Sequence, residues 1–195
     1  MATRDSIVQS ADALFYERGF EHTSFADIAD AVKISRGNFY YHFKTKDEIL
    51  TAVVAARMER TRAMLAQWET EGESPRERIR LFITLLIRNQ AKIMRHGCPV
   101  GTLCMELAKL GHPGQGEANA ILDLFRVWLR GQFRQMGLGK EADAFALHLL
   151  ARSQGVAVLA QSLRNKNFMQ QEVALMSAWV DSCAPVKTTA SGRSR

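Results

Sequence analysis

Apolar residues along this chain recur three and four positions apart, the spacing of one helix face, and no stretch shows the alternation of a strand. Ile7, Ala11, Leu14 and Phe15 line a first helix, which Thr3 can cap and Gly19 can end. Ser24 caps a second helix, with Asp27 three residues on as a capping-box partner and Phe25, Ile28, Ala29 and Val32 as its buried face. Ser35 caps a third, from about Arg36 to Phe43. Thr45 and Glu48 form a capping box for a fourth, from Lys46 to about Glu69. At 1.5 Å per residue that helix is about 36 Å long. Ile49, Leu50, Val53, Val54 and Met58 give it an apolar stripe.

Beyond the polar loop Thr70 to Pro75 the pattern continues. Ser74, Pro75 and Glu77 open a helix lined by Ile79, Phe82, Ile83 and Leu86 and ending near Gly97. A shorter helix follows Pro99. The next runs from about Glu117 to Met136, with Ile121, Leu124, Phe125, Trp128 and Leu129 inward. Two more cover about Lys140 to Leu163 and Met169 to Cys183. The expectation is an all-α chain of about nine helices. It divides into a three-helix unit over residues 1–46, a helical body over 47–183 and a small polar tail over 184–195, which has a disordered composition. No flexible linker separates unit from body; the boundary falls inside the long fourth helix.

At 195 residues the chain can bury a sizeable core, and 47% hydrophobic with 24% charged residues is ordinary for a globular protein. The net charge of +6 favours acidic partners, and its placement says more. From Lys33 to Lys46 the chain carries Lys33, Arg36, Lys44 and Lys46 and no acid, whereas acids outnumber bases before Lys33. Three widely spaced cysteines, Cys98, Cys104 and Cys183, argue against a disulfide framework and for a reducing compartment. No signal peptide is evident and no run approaches the ~20 apolar residues of a spanning helix, so a cytoplasmic protein without membrane contact is expected.

Residues 24–46 therefore read as two short helices joined by a tight turn, with aromatic and basic residues on the second. That is the form of a helix-turn-helix, which lays its second helix in the major groove of DNA. Arg36 and Asn38 stand where such a helix meets base edges, and Gly37 allows close approach. Tyr40, Tyr41 and His42 can contact phosphates or stack on sugars. Lys46 sits beside the free N–H groups of the fourth helix, a phosphate clamp. Phe39 and Phe43, four apart, fit the core, and Tyr40 fits it in part, with its ring buried and its hydroxyl out.

The string Phe20, Thr23-Ser24, Asp27-Ile28-Ala29, Ser35 to Phe43 and Lys46-Asp47-Glu48 resembles the TetR family of bacterial transcriptional regulators, over about the first 50 residues. The resemblance implies a homodimer on a near-palindromic double-stranded DNA operator, usually a repressor, released when a small-molecule effector binds the body. It also implies base readout by Arg36, Gly37, Asn38 and Tyr41, and phosphate contacts by Ser24, Tyr40, His42 and Lys46. Two departures stand out. Lys33 occupies a turn position where the family usually has Gly, which implies either a strain of roughly 1 kcal/mol or a differently shaped turn. Ala26 stands where some members carry a long base-contacting side chain.

In the body, Ala151, Gly155, Val158 and Ser162 form a small-residue face, and Met176, Trp179 and Val180 add bulk. The resemblance implies that the last two helices pair with their copies in a dimer; an intrachain core fits the same residues. Phe82, Leu86, Leu103, Leu107, Phe125, Trp128, Leu129 and Phe133 fit either an effector pocket for a small hydrophobic molecule or a filled core. Cys98 precedes Pro99, which places it at a helix N-cap, where the helix dipole favours negative charge. The segment Gly97 to Leu103 is similar to a Gly-Cys-Leu-like opening in a subgroup of the family, some of whose members sense electrophiles or oxidants through this cysteine. Arg164 and Lys166 are the candidate thiolate partners; a small buried hydrophobe is the alternative. Cys98 and Cys104, about 9 Å apart along a helix, should not pair. His96, Cys98, Cys104 and His112 lack metal-ligand spacing, no phosphate-binding loop is present, and neither an enzyme nor a cofactor is expected. A ligand-independent DNA-binding regulator and a thiol sensor stay open beside the ligand-released repressor.

Overall fold

The computed structural model describes residues 4–183, apart from the side chain of Arg36; the expected Thr3 cap and the tail over 184–195 lie outside the described residues. All regular structure among them is helical, in the order α1 (Arg4–Arg18), α2 (Phe25–Val32), α3 (Arg36–His42), α4 (Lys46–Glu71), α5 (Pro75–Arg88), α6 (Gln90–His96), α7 (Pro99–Leu110), α8 (Gln115–Gln135), α9 (Ala142–Leu163) and α10 (Lys166–Ser182), with a 3-10 turn at Gly139–Glu141.

The first three helices close around Ile7, Ala11, Phe15, Phe20, Ile28, Phe39 and Phe43, all buried together with Ile49, Leu50 and Val53 of α4. Phe39 meets Phe25 edge-on with ring centroids 5.2 Å apart, which locks α3 onto α2. Ser24 caps α2 through a full box: its hydroxyl accepts from the Asp27 N–H, and the Asp27 carboxylate accepts from the Ser24 N–H at 2.8 Å. This hydrogen bonding from Ser24 holds the Asp27 carboxyl below its ordinary pKa. Lys33 ends α2 in the left-handed region at φ 54°, ψ 46°, so the turn keeps the shape that usually asks for glycine.

Thr45 and Ser74 cap α4 and α5 through the N–H groups of Glu48 and Glu77. The reciprocal half of the box expected at Thr45 is displaced: the Glu48 carboxylate accepts from Lys44 N–H at 2.7 Å, one residue before the cap. Glu77 does the same with Glu73 N–H at 2.9 Å. The glutamate arm is one methylene longer than that of Asp27 and reaches a residue further.

The single helix expected between Ser74 and Gly97 is broken at Asn89 into α5 and α6. Asn89 leaves helical geometry at φ −104°, ψ 12°, and its side-chain amide donates to the Leu85 carbonyl at 3.1 Å. An asparagine bonding backbone in this way competes with the helix ladder. The body core is built on Trp68, Ile79, Ile83, Leu107, Ile121, Leu129 and Phe133.

Two of the residues expected at a dimer surface point the other way. Met176 and Val180 are fully buried inside their own chain, where α10 packs on α5 and α9. Trp179 is half-buried and stacks on Phe145 at 5.4 Å. The helical period places the outer face of α10 at Leu175 instead, which is exposed. Ala151, Gly155, Val158 and Ser162 do face outward on α9.

The Lys33 conformation yields a stability prediction. Lys33→Gly removes a left-handed strain of about 1–2 kcal/mol and adds a backbone entropy cost of about 0.5–1 kcal/mol. Chemical denaturation should show a small net stabilisation; a lower midpoint would mean that the lysine makes a compensating contact.

Candidate functional site

The exposed edge of the head is α3. The Ser35 hydroxyl accepts from Asn38 N–H at 3.3 Å and fixes the start of the helix. Gly37 and Asn38 are exposed, and Tyr41 is 79% exposed, the most exposed large hydrophobic residue among the described residues. A methyl group built at Gly37 would meet nothing within 4 Å, so no contact within the chain requires glycine there and its bareness serves the outer surface. Arg36 lies in the first turn of α3; its side chain is outside the described residues. Tyr40 is partly core, as expected: one ring face stacks on Phe25 at 5.7 Å, while the residue stays half-exposed. His42 sits edge-on to Tyr41, with ring centroids 5.2 Å apart.

Two expected phosphate contacts are engaged elsewhere. The Ser24 hydroxyl donates to Asp27 within the capping box. Lys46 turns inward: its Nζ donates to the carbonyls of Phe20 at 3.1 Å and Glu21 at 3.4 Å and lies 4.3 Å from the centre of the Phe20 ring. Carbonyls of the α1–α2 loop and an aromatic face outcompete solvent for the ammonium. Lys46 thus braces the α1–α2 loop.

That loop is also gripped from the body. The Glu106 carboxylate of α7 accepts from the N–H groups of Phe20 and Glu21, both at 2.9 Å. Gly19 is what admits it. The backbone there has φ +92°, and a Cβ would stand 2.8 Å from Glu106 Oε1. At the far end of α7, His112 accepts from Gly114 N–H at Nδ1, which leaves Nε2 to donate to Asp47 of α4 at 3.3 Å.

Between head and body lies a cavity of about 760 Å³, walled by α1, α4, α5, α6, α8, α9 and the start of α7. Of the expected pocket residues, Phe82, Leu86, Cys98 and Phe125 line it. Leu103, Leu107 and Leu129 do not; they are buried in the body core. Nor does Trp128, whose indole N–H donates to Glu69 at 2.6 Å while its ring packs on Trp68. Phe133 is fully buried away from the cavity. The sequence reading missed the polar wall: Asp12 and Tyr16 of α1, and Arg57 and Thr61 of α4. The signal was present. Arg57 continues the α4 stripe four residues after Val53, where a charge on a buried face needs an explanation.

Arg57 is 6% exposed. Its Nε donates to Asp12 Oδ1 at 2.6 Å and its Nη1 to the Pro99 carbonyl. Arg60 shares the same aspartate. Tyr16 donates its hydroxyl to the Gly97 carbonyl at 2.8 Å, and burial, then the proximity of Cys98, pushes its pKa up to about 12. Cys98 is the expected N-cap, its Sγ accepting from Gly101 N–H at 3.4 Å. Arg164 and Lys166 do not line the cavity; the cations there are Arg57, Arg60, Lys92 and Arg95. All three cysteines are free. Burial, then Cys98, pushes the Cys104 thiol up to about 11, and burial raises that of Cys183. Among the described residues no cluster of His, Cys, Asp or Glu could hold a metal ion.

A capped two-helix reader set on a third helix, with its recognition face bare, defines a helix-turn-helix DNA-binding protein. Residues 7–53 match the family described as bacterial regulatory proteins, tetR family. Over 178 residues the chain is 26% identical to an uncharacterized HTH-type transcriptional regulator in the lacX 3′ region of Lactococcus lactis, across 89% of this chain and 91% of that protein. It is 24% identical over 178 residues to the HTH-type transcriptional repressor DhaR of a Mycobacterium species, across 86% and 87%. A TetR transcriptional regulator from Legionella pneumophila shares the fold, with a TM-score of 0.81 at 23% identity over 92% of this chain and 97% of that one. Residues 7–53 thus form a helix-turn-helix domain of the tetR family, and the chain, which shares the fold of TetR regulators, is a helix-turn-helix transcriptional regulator.

Two measurements check this site. Brief iodoacetamide treatment at neutral pH should label Cys98 first, because Cys104 and Cys183 are buried with raised thiol pKa values. Peptide mapping that found either of them labelled ahead of Cys98 would contradict the packing. Tyr16 gives an alkaline signature. A pKa raised from 10.0 to about 12 contributes stability that is present below pH 10 and lost as pH rises towards 12. Tyr16→Phe should lose less stability across that window than the wild type.

Proposed function

We propose that the protein binds a near-palindromic operator as a homodimer, represses transcription there and is released when a small molecule fills the cavity. Residues 1 to about 46 serve as the reading head and 47–183 as the effector-binding and dimerising body. One observation carries this reading: the cavity has α1 of the head as one of its walls, so an occupant touches the DNA-binding unit itself. Arg57 joins α1, α4 and the start of α7 at that wall. A tenfold loss of operator affinity needs only about 1.4 kcal/mol of differential binding between two head positions. A shift of α4 that changes the separation of the two heads is the motion proposed.

Arg36, Gly37, Asn38 and Tyr41 are assigned to base readout, and Tyr40 and His42 to phosphate contacts. Two heads must sit about one DNA turn apart, ~34–36 Å, which calls for a dimer. The outward face of α9 carries Leu147, Ala151, Gly155, Val158, Leu159 and Ser162. With Leu175 of α10 beside it, this apolar surface suits a second copy of the chain. No helix among the described residues is long and apolar enough to cross a membrane. We assign the protein to the cytoplasm, with its DNA.

A second reading has its own support. Cys98 lines the cavity at a helix N-cap, so a reactive electrophile reaching the cavity would meet its sulfur. In that case Cys98→Ala would abolish the response and leave DNA binding intact.

The test is binding of the purified protein to labelled DNA flanking its own coding region, with and without N-ethylmaleimide. Tight, salt-dependent binding supports the regulator, and loss of binding with the maleimide supports the thiol reading. Asn38→Ala should change preference at one or two base pairs, at a cost of about 1–3 kcal/mol on the preferred site. Val158→Glu should turn the dimer into a monomer in sedimentation and weaken operator binding; an unchanged dimer would move the interface off α9.

A further inference from the structure

The charge balance of the cavity says what kind of molecule it takes. Its polar wall holds buried Arg57 and exposed Arg60 against one carboxylate, Asp12. Arg57 is more than nine-tenths buried, and two of its nitrogens are bonded, to Asp12 and to Pro99. Its third, Nη2, makes no hydrogen bond among the described residues, although the side chain lines the cavity. Tyr16 cannot supply the missing anion, because its phenol stays protonated until about pH 12 and donates to Gly97. Exposed Lys92 and Arg95 at the rim exceed exposed Glu17, so the lining as a whole carries an excess of positive charge. A buried guanidinium with an open donor asks for an acceptor of opposite charge.

Much of the remaining lining is apolar. Phe82 and Phe125 lie with ring centroids 5.6 Å apart beside Leu86, Leu122 and Met64. A volume of about 760 Å³ falls in the range of small-molecule sites.

We propose that the cavity binds an amphipathic organic monocarboxylate, with its carboxylate on Arg57 and its hydrocarbon or aromatic part against Phe82, Leu86 and Phe125. The proposal rests on the reading of this cavity as the effector site and narrows its ligand from hydrophobic molecules at large to organic anions. A bound carboxylate shares Arg57 with Asp12, the α1 end of the bridge, and so acts on the head through the group that recognises it.

Calorimetry on the full chain with 4-phenylbutanoate and its neutral twin, 4-phenylbutanamide, tests the inference. The acid should bind at least tenfold more tightly than the amide. In Arg57→Met the ratio should fall to about one while the amide still binds. Asp12→Asn provides a change of opposite sign that does not depend on Arg57→Met folding. It frees Arg57 from its internal partner, so the acid should bind several-fold tighter and the amide as before. Acid binding no tighter than the amide, absence of binding included, would overturn the proposal, as would acid affinity unmoved or lowered by Asp12→Asn. DNA binding followed in the same titrations separates the two readings. Arginine-dependent acid binding that leaves DNA bound would keep the ligand class and refute the effector role.

Discussion

One buried guanidinium holds the two halves of this regulator in register. Arg57 belongs to α4, the helix common to head and body, and reaches both Asp12 on α1 and the Pro99 carbonyl at the start of α7. Removing one partner of a buried ion pair typically costs about 3–5 kcal/mol, because a charge is left without compensation. A charge in that place is expensive, and an all-apolar α4 stripe would have packed more simply. What the charge adds is direction: the head is held by a few aimed bonds beside a cavity instead of by interchangeable apolar contact.

The bonds of α7 complete the arrangement. Glu106 grips the α1–α2 loop through two backbone N–H groups, and His112 reaches the first turn of α4 through Asp47. The head needs this support. Its three helices have 15, 8 and 7 residues, too few to bury a large core alone. Lys46, Gly19 and Glu106 therefore act together on one loop: a cation on its carbonyls, a carboxylate on its amides, and a glycine that makes room. Since Cys98 caps α7 at the cavity, the same helix that borders the cavity holds the head.

Local patterns in the sequence were good guides where the physics is local. Helix faces, the Ser24 box and the N-cap at Cys98 all depend on residues within a few positions, and all appear as expected. Features that depend on distant partners were not legible. Met176 and Val180 have the character of an interface, yet which face of α10 turns outward is decided by α5 and α9. Lys46 looks free beside a helix start until the Phe20 ring and two carbonyls, a quarter of a hundred residues earlier, are placed against it. Phe82 and Leu103 are indistinguishable by type, but only one borders space. Arg57 was the clue that local pattern did offer, a charge on a helix face otherwise buried, and its meaning came only with Asp12 and Pro99 in view.

The central claim is that the body holds the head in place. Amide hydrogen exchange of the wild type and of Glu106→Ala tests it most directly. The account predicts that α1, α2 and α3 lose protection when the carboxylate is removed, beginning at Phe20 and Glu21, while α8 and α10 keep theirs. Head amides that exchange at the same rate in both proteins would show that the head stands on its own core, and would contradict the account.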